Sequence, residues 1–272
     1  MLEIILDEFH FSTLWNGGIL LFSMFGAIIY FFLLPSSKRH PLWKSILFLA
    51  GLIIIFIAIG SPLNVTGRIK FSSHIIQLVL LLLVAPPLII VGFKTEILNR
   101  IQSVSVIKRV FDQLRNPITA TILFQGFLYG YHIPIVFNFA RIDLYLNYFF
   151  LLALFISALL FWIPILSRKQ LAKGRKWKYA MLNVLLLTPF SIILLMADEG
   201  IYLIYSDMNL FISALALCLP DLTDVPPEFF ASLLPFDPVH EQRLGATIFL
   251  ISQVIIVQGV TWVSIKCKKY KS

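Results

Sequence analysis

The residues best suited to chemistry in this chain are its five histidines, His10, His40, His74, His132 and His240. A neutral imidazole is a ligand for copper, zinc, iron or nickel, and a thioether or thiolate favours Cu(I). Met196, Met208 and Cys218 are the sulfur-bearing residues that could join them. No pair stands at a close metal-ligand spacing such as C-x-x-C or H-E-x-x-H. There is also no G-x-S-x-G, no P-loop and no G-x-G-x-x-G, so hydrolase, phosphoryl-transfer and dinucleotide chemistry lack their usual carriers. Histidines this far apart in sequence can cooperate only if the fold gathers them, so the elements that position them come next.

Composition sets those elements. The chain of 272 residues is 59% hydrophobic and 13% charged, against about 25% charged in an ordinary soluble domain. Seven apolar runs approach the roughly 20 residues that cross a hydrocarbon core as a helix: Leu14–Leu34, Ser45–Gly60, Ser72–Gly92, Pro117–Phe137, Leu144–Leu166, Tyr179–Met196 and Leu244–Ile265. In lipid each backbone N–H and C=O must be satisfied within its own segment, which makes these runs helices. The expected fold is all-α: a polytopic membrane bundle of about seven transmembrane helices, forming one domain over 1–272.

Charge orients the bundle. Eighteen of the 22 Lys and Arg residues fall on one side of that threading, in the connections after the first, third and fifth spans and in the tail Lys266–Lys271. Basic residues mark the cytoplasmic side, so the N-terminus is expected outside and the C-terminus inside. The net charge of +8 then reflects topology and attraction to anionic lipid, not nucleic-acid binding. His10, His74, His132 and His240 share the outer side, as do Met196, Met208 and Cys218, and His40 alone is cytoplasmic. A single histidine at a membrane boundary is more often a hydrogen-bonding residue facing water than a ligand, so the shared side is the signal. Cys218 and Cys267 lie on opposite sides and cannot pair within one chain.

Two segments are neither spans nor simple loops. Between 95 and 116, Ile97, Ile101, Val104, Ile107, Phe111 and Leu114 recur at helical spacing among basic residues, the pattern of an amphipathic helix on the cytoplasmic surface. The segment 197–243 carries eight acidic residues, a short apolar piece Met208–Leu219, and then Pro220, Pro226 and Pro227. It reads as a re-entrant or interfacial lid over the outer face. Pro86, Pro87, Pro134, Pro164 and Pro189 fall inside spans. The tandem Pro86–Pro87 frees two carbonyls in one turn, which should place that helix inside the bundle.

Three blocks resemble the CtaG family of membrane assembly factors for cytochrome c oxidase. The first runs from Ser61-Pro62-Leu63 through Gly67-Arg68, then Ser73-His74-Ile75-Ile76-Gln77, then Ala85-Pro86-Pro87-Leu88 and Gly92. The second pairs Tyr131-His132-Ile133-Pro134 with Phe161-Trp162-Ile163-Pro164, and the third joins Asp237 to Glu241-Gln242-Arg243-Leu244-Gly245. The resemblance implies a multi-pass protein of the bacterial cell membrane. It would be no enzyme, would partner a respiratory oxidase subunit, and would aid copper insertion on the outer face. It also implies His74, His132 and His240 as metal ligands. Typical members carry a second histidine four residues after the first, where this chain has Leu78, and histidines near the start of the fifth span, where it has Tyr145 and Tyr148.

Three functions are therefore weighed. The first is an oxidase assembly factor that handles copper. The second is a metal-free membrane scaffold, or a diverged paralogue that keeps the bundle alone. The third is a transporter or membrane enzyme, which would need ionisable groups deep within spans, and none stands there.

Overall fold

The computed structural model describes residues 10–35, 40–94, 105–167, 170–217 and 237–266. Cys218, Cys267, the first half of the expected surface helix and the proline-rich part of the lid lie outside these residues. All seven expected apolar runs are helical, and no strand occurs among the described residues.

After a single helical turn at Phe11–Leu14, α1 is Gly17–Ile28 with a π-helical extension Ile29–Leu33. It starts where Asn16 Oδ1 accepts from Ile19 N, 3.0 Å away, a side-chain N-cap. Helix α2, Leu42–Gly60, stops because Ser61 precedes Pro62 and is extended (φ −113°, ψ 175°). Its last carbonyls therefore need outside donors. Ser61 Oγ serves Ile57 O, Gln77 Nε2 serves Ala58 O at 2.8 Å, and Asn16 N serves Gly60 O at 3.0 Å. The short α3, Pro62–Ile69, leads into α4, Phe71–Gly92.

Helix α4 is the centre of the bundle. Of its most apolar stretch 61% is buried, against 22% in α2. The reason is Pro86–Pro87. Leu82 O would accept from residue 86 in an α-turn and from residue 87 in a π-turn, and neither has an N–H. Trp162 Nε1, fully buried, donates to it instead at 2.9 Å. The π-turn Val79–Val84 immediately precedes the prolines.

The surface segment contains α5, Ser105–Leu114, whose Val106, Lys108, Arg109 and Val110 are all exposed. The fourth expected run is not one straight helix. It divides into α6, Pro117–Tyr131, and α7, Pro134–Ile142, bent by 74°. Pro134 has no N–H to donate and holds Ile133 in extended backbone (φ −60°, ψ 126°), which ends α6 at Tyr131, short of Phe137. Helix α8, Leu144–Leu166, starts at Asp143, whose side chain accepts from Leu146 N. Helix α9, Lys173–Met196, runs through Pro189. Both α9 and the last helix, Pro238–Lys266 (below, α11), begin more than a turn before their apolar runs. Among the described residues, five helices are individually long and apolar enough to cross a membrane, the bent pair makes a sixth, and α1 is shorter.

The described part of the lid packs down. A 3-10 turn Leu203–Tyr205 and α10, Met208–Ala216, bury Tyr202, Ile204, Tyr205, Phe211, Ala214 and Leu215. One continuous apolar cluster joins Tyr202, Ile204, Tyr205 and Ala214 to α4, α6, α7, α8, α9 and α11.

Candidate functional site

His74 sits in the first turn of α4, and His132 is the C-cap residue of α6. The bend at Ile133–Pro134 folds α7 back, and the two imidazoles become neighbours with ring centroids 6.1 Å apart. Both are buried. Aromatic rings wall them in: Phe137 lies 5.3 Å from His74 and 5.7 Å from His132, Tyr131 lies 5.8 and 4.9 Å away, and Phe190 lies 4.5 Å from His132. Tyr202 covers the pair from the lid, stacking on Phe71 at 5.0 Å and donating from its Oη to His132 O at 3.3 Å.

Each ring has one nitrogen engaged and one bare. His132 Nδ1 lies 2.7 Å from Leu128 O, and a carbonyl can only accept, so Nδ1 carries the proton. His74 Nδ1 lies 3.1 Å from Gln77 Oε1. In both residues Nε2 is buried and meets no hydrogen-bond partner. A second proton there would create a buried charge with nothing to accept it, so both rings are neutral, each with an Nε2 lone pair.

Beside the pair lies a fixed positive framework. Arg68 ends α3 and Arg141 ends α7, and both are buried. Arg68 Nη1 donates to Arg141 O at 2.9 Å, and Arg141 Nη2 donates to Gly67 O. Each guanidinium thus caps the C-terminal carbonyls of the other's helix, the end where the helix dipole favours a cation. Tyr205 Oη also donates to Gly67 O, at 2.9 Å. Burial raises the phenol pKa of Tyr205 and Tyr202 above its ordinary value, so both remain donors. Gly67 has no side chain because none fits easily. A Cβ there would lie 3.3 Å from His74 Cα and 3.5 Å from Gln77 Oε1.

The structure brings His74 and His132 together and leaves His240 exposed on the first turn of α11. Among the described residues no three His, Cys, Asp or Glu side chains converge as a metal site would need. His10 is exposed beside Ser12, and His40 lies 2.8 Å from Tyr30 Oη at the opposite end of α1. Met196 and Met208 are exposed. Leu78 is in the core, Tyr145 is 86% exposed, and Tyr148 lines a cleft of about 350 Å³ together with Asn64 and Arg68.

Sequence reasoning missed Gln77, Asn64, Arg68 and Arg141 as parts of the site. Gln77 stands three residues after His74, a same-face helical spacing that carried the signal. In the sequence Arg141 is only a loop charge, and Arg68 is a loop charge that also closes the first part of the resembling block. Glu241 and Gln242, beside His240, turn out to be fasteners. Glu241 accepts from Lys70 Nζ at 3.0 Å and from Ser72 Oγ. Gln242 accepts from Ile201 N at 2.9 Å and donates to Leu194 O at 3.1 Å.

The residues present offer a metal two neutral nitrogen donors. They stand on rings whose centroids are 6.1 Å apart, and each ring keeps one buried nitrogen without a hydrogen-bond partner. A search of the curated proteins and of the solved structures returns no match. A family model described as cytochrome c oxidase caa3 assembly factor (Caa3_CtaG) matches residues 28–266, which includes the whole of the paired-histidine site and nearly every described helix. The chain therefore belongs to the caa3 cytochrome c oxidase assembly factor family.

Proposed function

We propose that this chain assists maturation of cytochrome c oxidase by holding copper, as cargo, between His74 and His132. The protein would cross a bacterial cell membrane seven times, with α1 as the seventh crossing, and the histidine pair would lie on the outer side. The lysine and arginine distribution supports that orientation. The oxidase subunit awaiting its metal is the partner.

The observation that carries this reading is the pair of buried, bare Nε2 atoms on adjacent neutral rings. Two uncharged nitrogen donors suit monovalent copper, which accepts a two-coordinate, near-linear ligand set. The aromatic wall keeps water and oxidants from the ion. The lid residue Tyr202, hydrogen-bonded to the backbone of His132, is where opening for transfer would begin.

A second reading, the metal-free scaffold, is supported by Leu78 and Tyr145. These occupy positions where the family resemblance would put histidines, and one is packed in the core while the other is exposed. One experiment separates the two. Full-length protein purified anaerobically is titrated with Cu(I) against a chromophoric chelator. The copper reading expects one tightly held ion per chain, lost in both His74→Ala and His132→Ala and kept in His240→Ala. Wild-type protein that takes up no copper, yet still recovers an oxidase subunit from membranes, would establish the scaffold instead.

A further inference from the structure

Gln77 is fully buried and has three polar neighbours: Ala58 O at 2.8 Å, Asn64 Oδ1 at 2.9 Å and His74 Nδ1 at 3.1 Å. The two ends of an amide look alike in shape, so the hydrogen-bond network decides which is which. Here the decision is forced. Ala58 O can only accept, so the end of Gln77 beside it must be the NH₂ group. The carbonyl end must then face His74, where it can only accept, and so His74 carries its proton on Nδ1.

The origin of this constraint lies in the break after α2. Because Ser61 is extended before Pro62, Ala58 O belongs to the last, unsatisfied turn of the helix. It is buried among apolar side chains, where an unpaired carbonyl is costly. It therefore holds the Gln77 amide in one orientation. We infer that Gln77, held by the leftover carbonyl of Ala58, is a positioning residue that locks His74 in the tautomer whose Nε2 is bare. His132 has its own lock in Leu128 O, a main-chain group that no substitution removes. The His74 lock is a side chain and can be tested. Asn64 accepts the second amide proton of Gln77 and reaches the wall of the 350 Å³ cleft, but Ala58 O alone suffices to orient the amide.

The tautomer follows from the geometry by itself, while its use in binding copper rests on the reading above. The test begins with copper-free, full-length protein in lipid nanodiscs, labelled with ¹⁵N at histidine, with the other four histidines assigned by single replacement. His74 is expected to show a protonated Nδ1 and a bare Nε2. Gln77→Met, similar in length and without an acceptor oxygen, should let the proton redistribute toward Nε2, and Asn64→Ala should leave the wild-type pattern. A proton on Nε2 of His74 in the wild type overturns the inference without need of any variant. Cu(I) affinity is then measured on the same samples. Gln77→Met should weaken it by about 10-fold or more, the usual effect of losing an outer-shell partner. Unchanged affinity alongside an unlocked ring would overturn the positioning role. A locked ring in a protein that takes up no copper upholds the lock and overturns the copper reading alone.

Discussion

Replacing Trp162 with Phe should destabilise the bundle for a reason that a second substitution can isolate. Trp162 Nε1 donates to Leu82 O, whose own helical partners would have been Pro86 or Pro87. Losing the indole N–H strands a buried carbonyl, at about 1–3 kcal/mol, and the smaller ring removes packing from a fully buried position, at about 1 kcal/mol more. Pro86→Ala returns an N–H four residues after Leu82, so in that background the Trp162→Phe change should cost only the packing part. The coupling between the two sites is then the carbonyl part alone, about 1–3 kcal/mol. That value stands above the average of about 0.6 kcal/mol for interhelical hydrogen bonds in a membrane, because no water reaches this carbonyl. Reversible unfolding of the four proteins in mixed detergent micelles measures it. If Trp162→Phe costs the same in both backgrounds to within about 0.5 kcal/mol, the indole does not replace the missing proline donor.

Gly92→Ala should lower the unfolding midpoint by an amount equivalent to about 1–3 kcal/mol, because a Cβ there falls 2.5 Å from Phe48 N and 2.6 Å from Lys44 O, main-chain atoms that give way only if α2 and α4 part. Gly126→Ala, with no atom within 4 Å of the added carbon, should be neutral or stabilise by about 0.5–1 kcal/mol, and the same unfolding assay compares the two. Lys70→Ala should leave the buried Glu241 carboxylate with the Ser72 hydroxyl in place of its ion-pair partner, at about 3–5 kcal/mol. Faster hydrogen exchange confined to the first turns of α11 would show it, and joint replacement of Lys70 by Met and Glu241 by Gln should recover much of the loss.

The helices were legible because lipid leaves a long apolar run few alternatives, so the spans from Leu42 to Gly60 and from Leu144 to Leu166 end within a few residues of their sequence limits. The central place of α4 was legible from Pro86–Pro87, since two stranded carbonyls demand neighbours. The turn at Ile133 was within reach of the same proline logic, but the apolar run continues through Phe137 and hid it. That bend is what carries His132 to His74, so the site could not be assembled from spans alone. His240 was grouped with the pair because the expected threading puts all three on one side of the membrane. A shared side fixes depth but not rotation about the helix axis, and the first turn of α11 turns Glu241 and Gln242 inward and His240 out.

The arginines bear on the proposed copper site. Taken from sequence, Arg68 and Arg141 look like exceptions to an outer surface poor in basic residues. In the fold they are buried, and each is held by helix-end carbonyls of the other's segment, so their charge is a fixed part of the site. A fixed cation repels a doubly charged metal ion twice as strongly as a singly charged one at any given distance. The imidazoles contribute no compensating negative charge, and no carboxylate or thiolate converges on them among the described residues. Zinc or divalent copper would meet that repulsion in full and would also lack the third and fourth ligands it normally collects. Monovalent copper meets half the repulsion and needs no further donors. On the copper proposal, the same framework that ties α3 to α7 would favour an ion of single charge, and release would need only a separation of the two helices that each carry one ring.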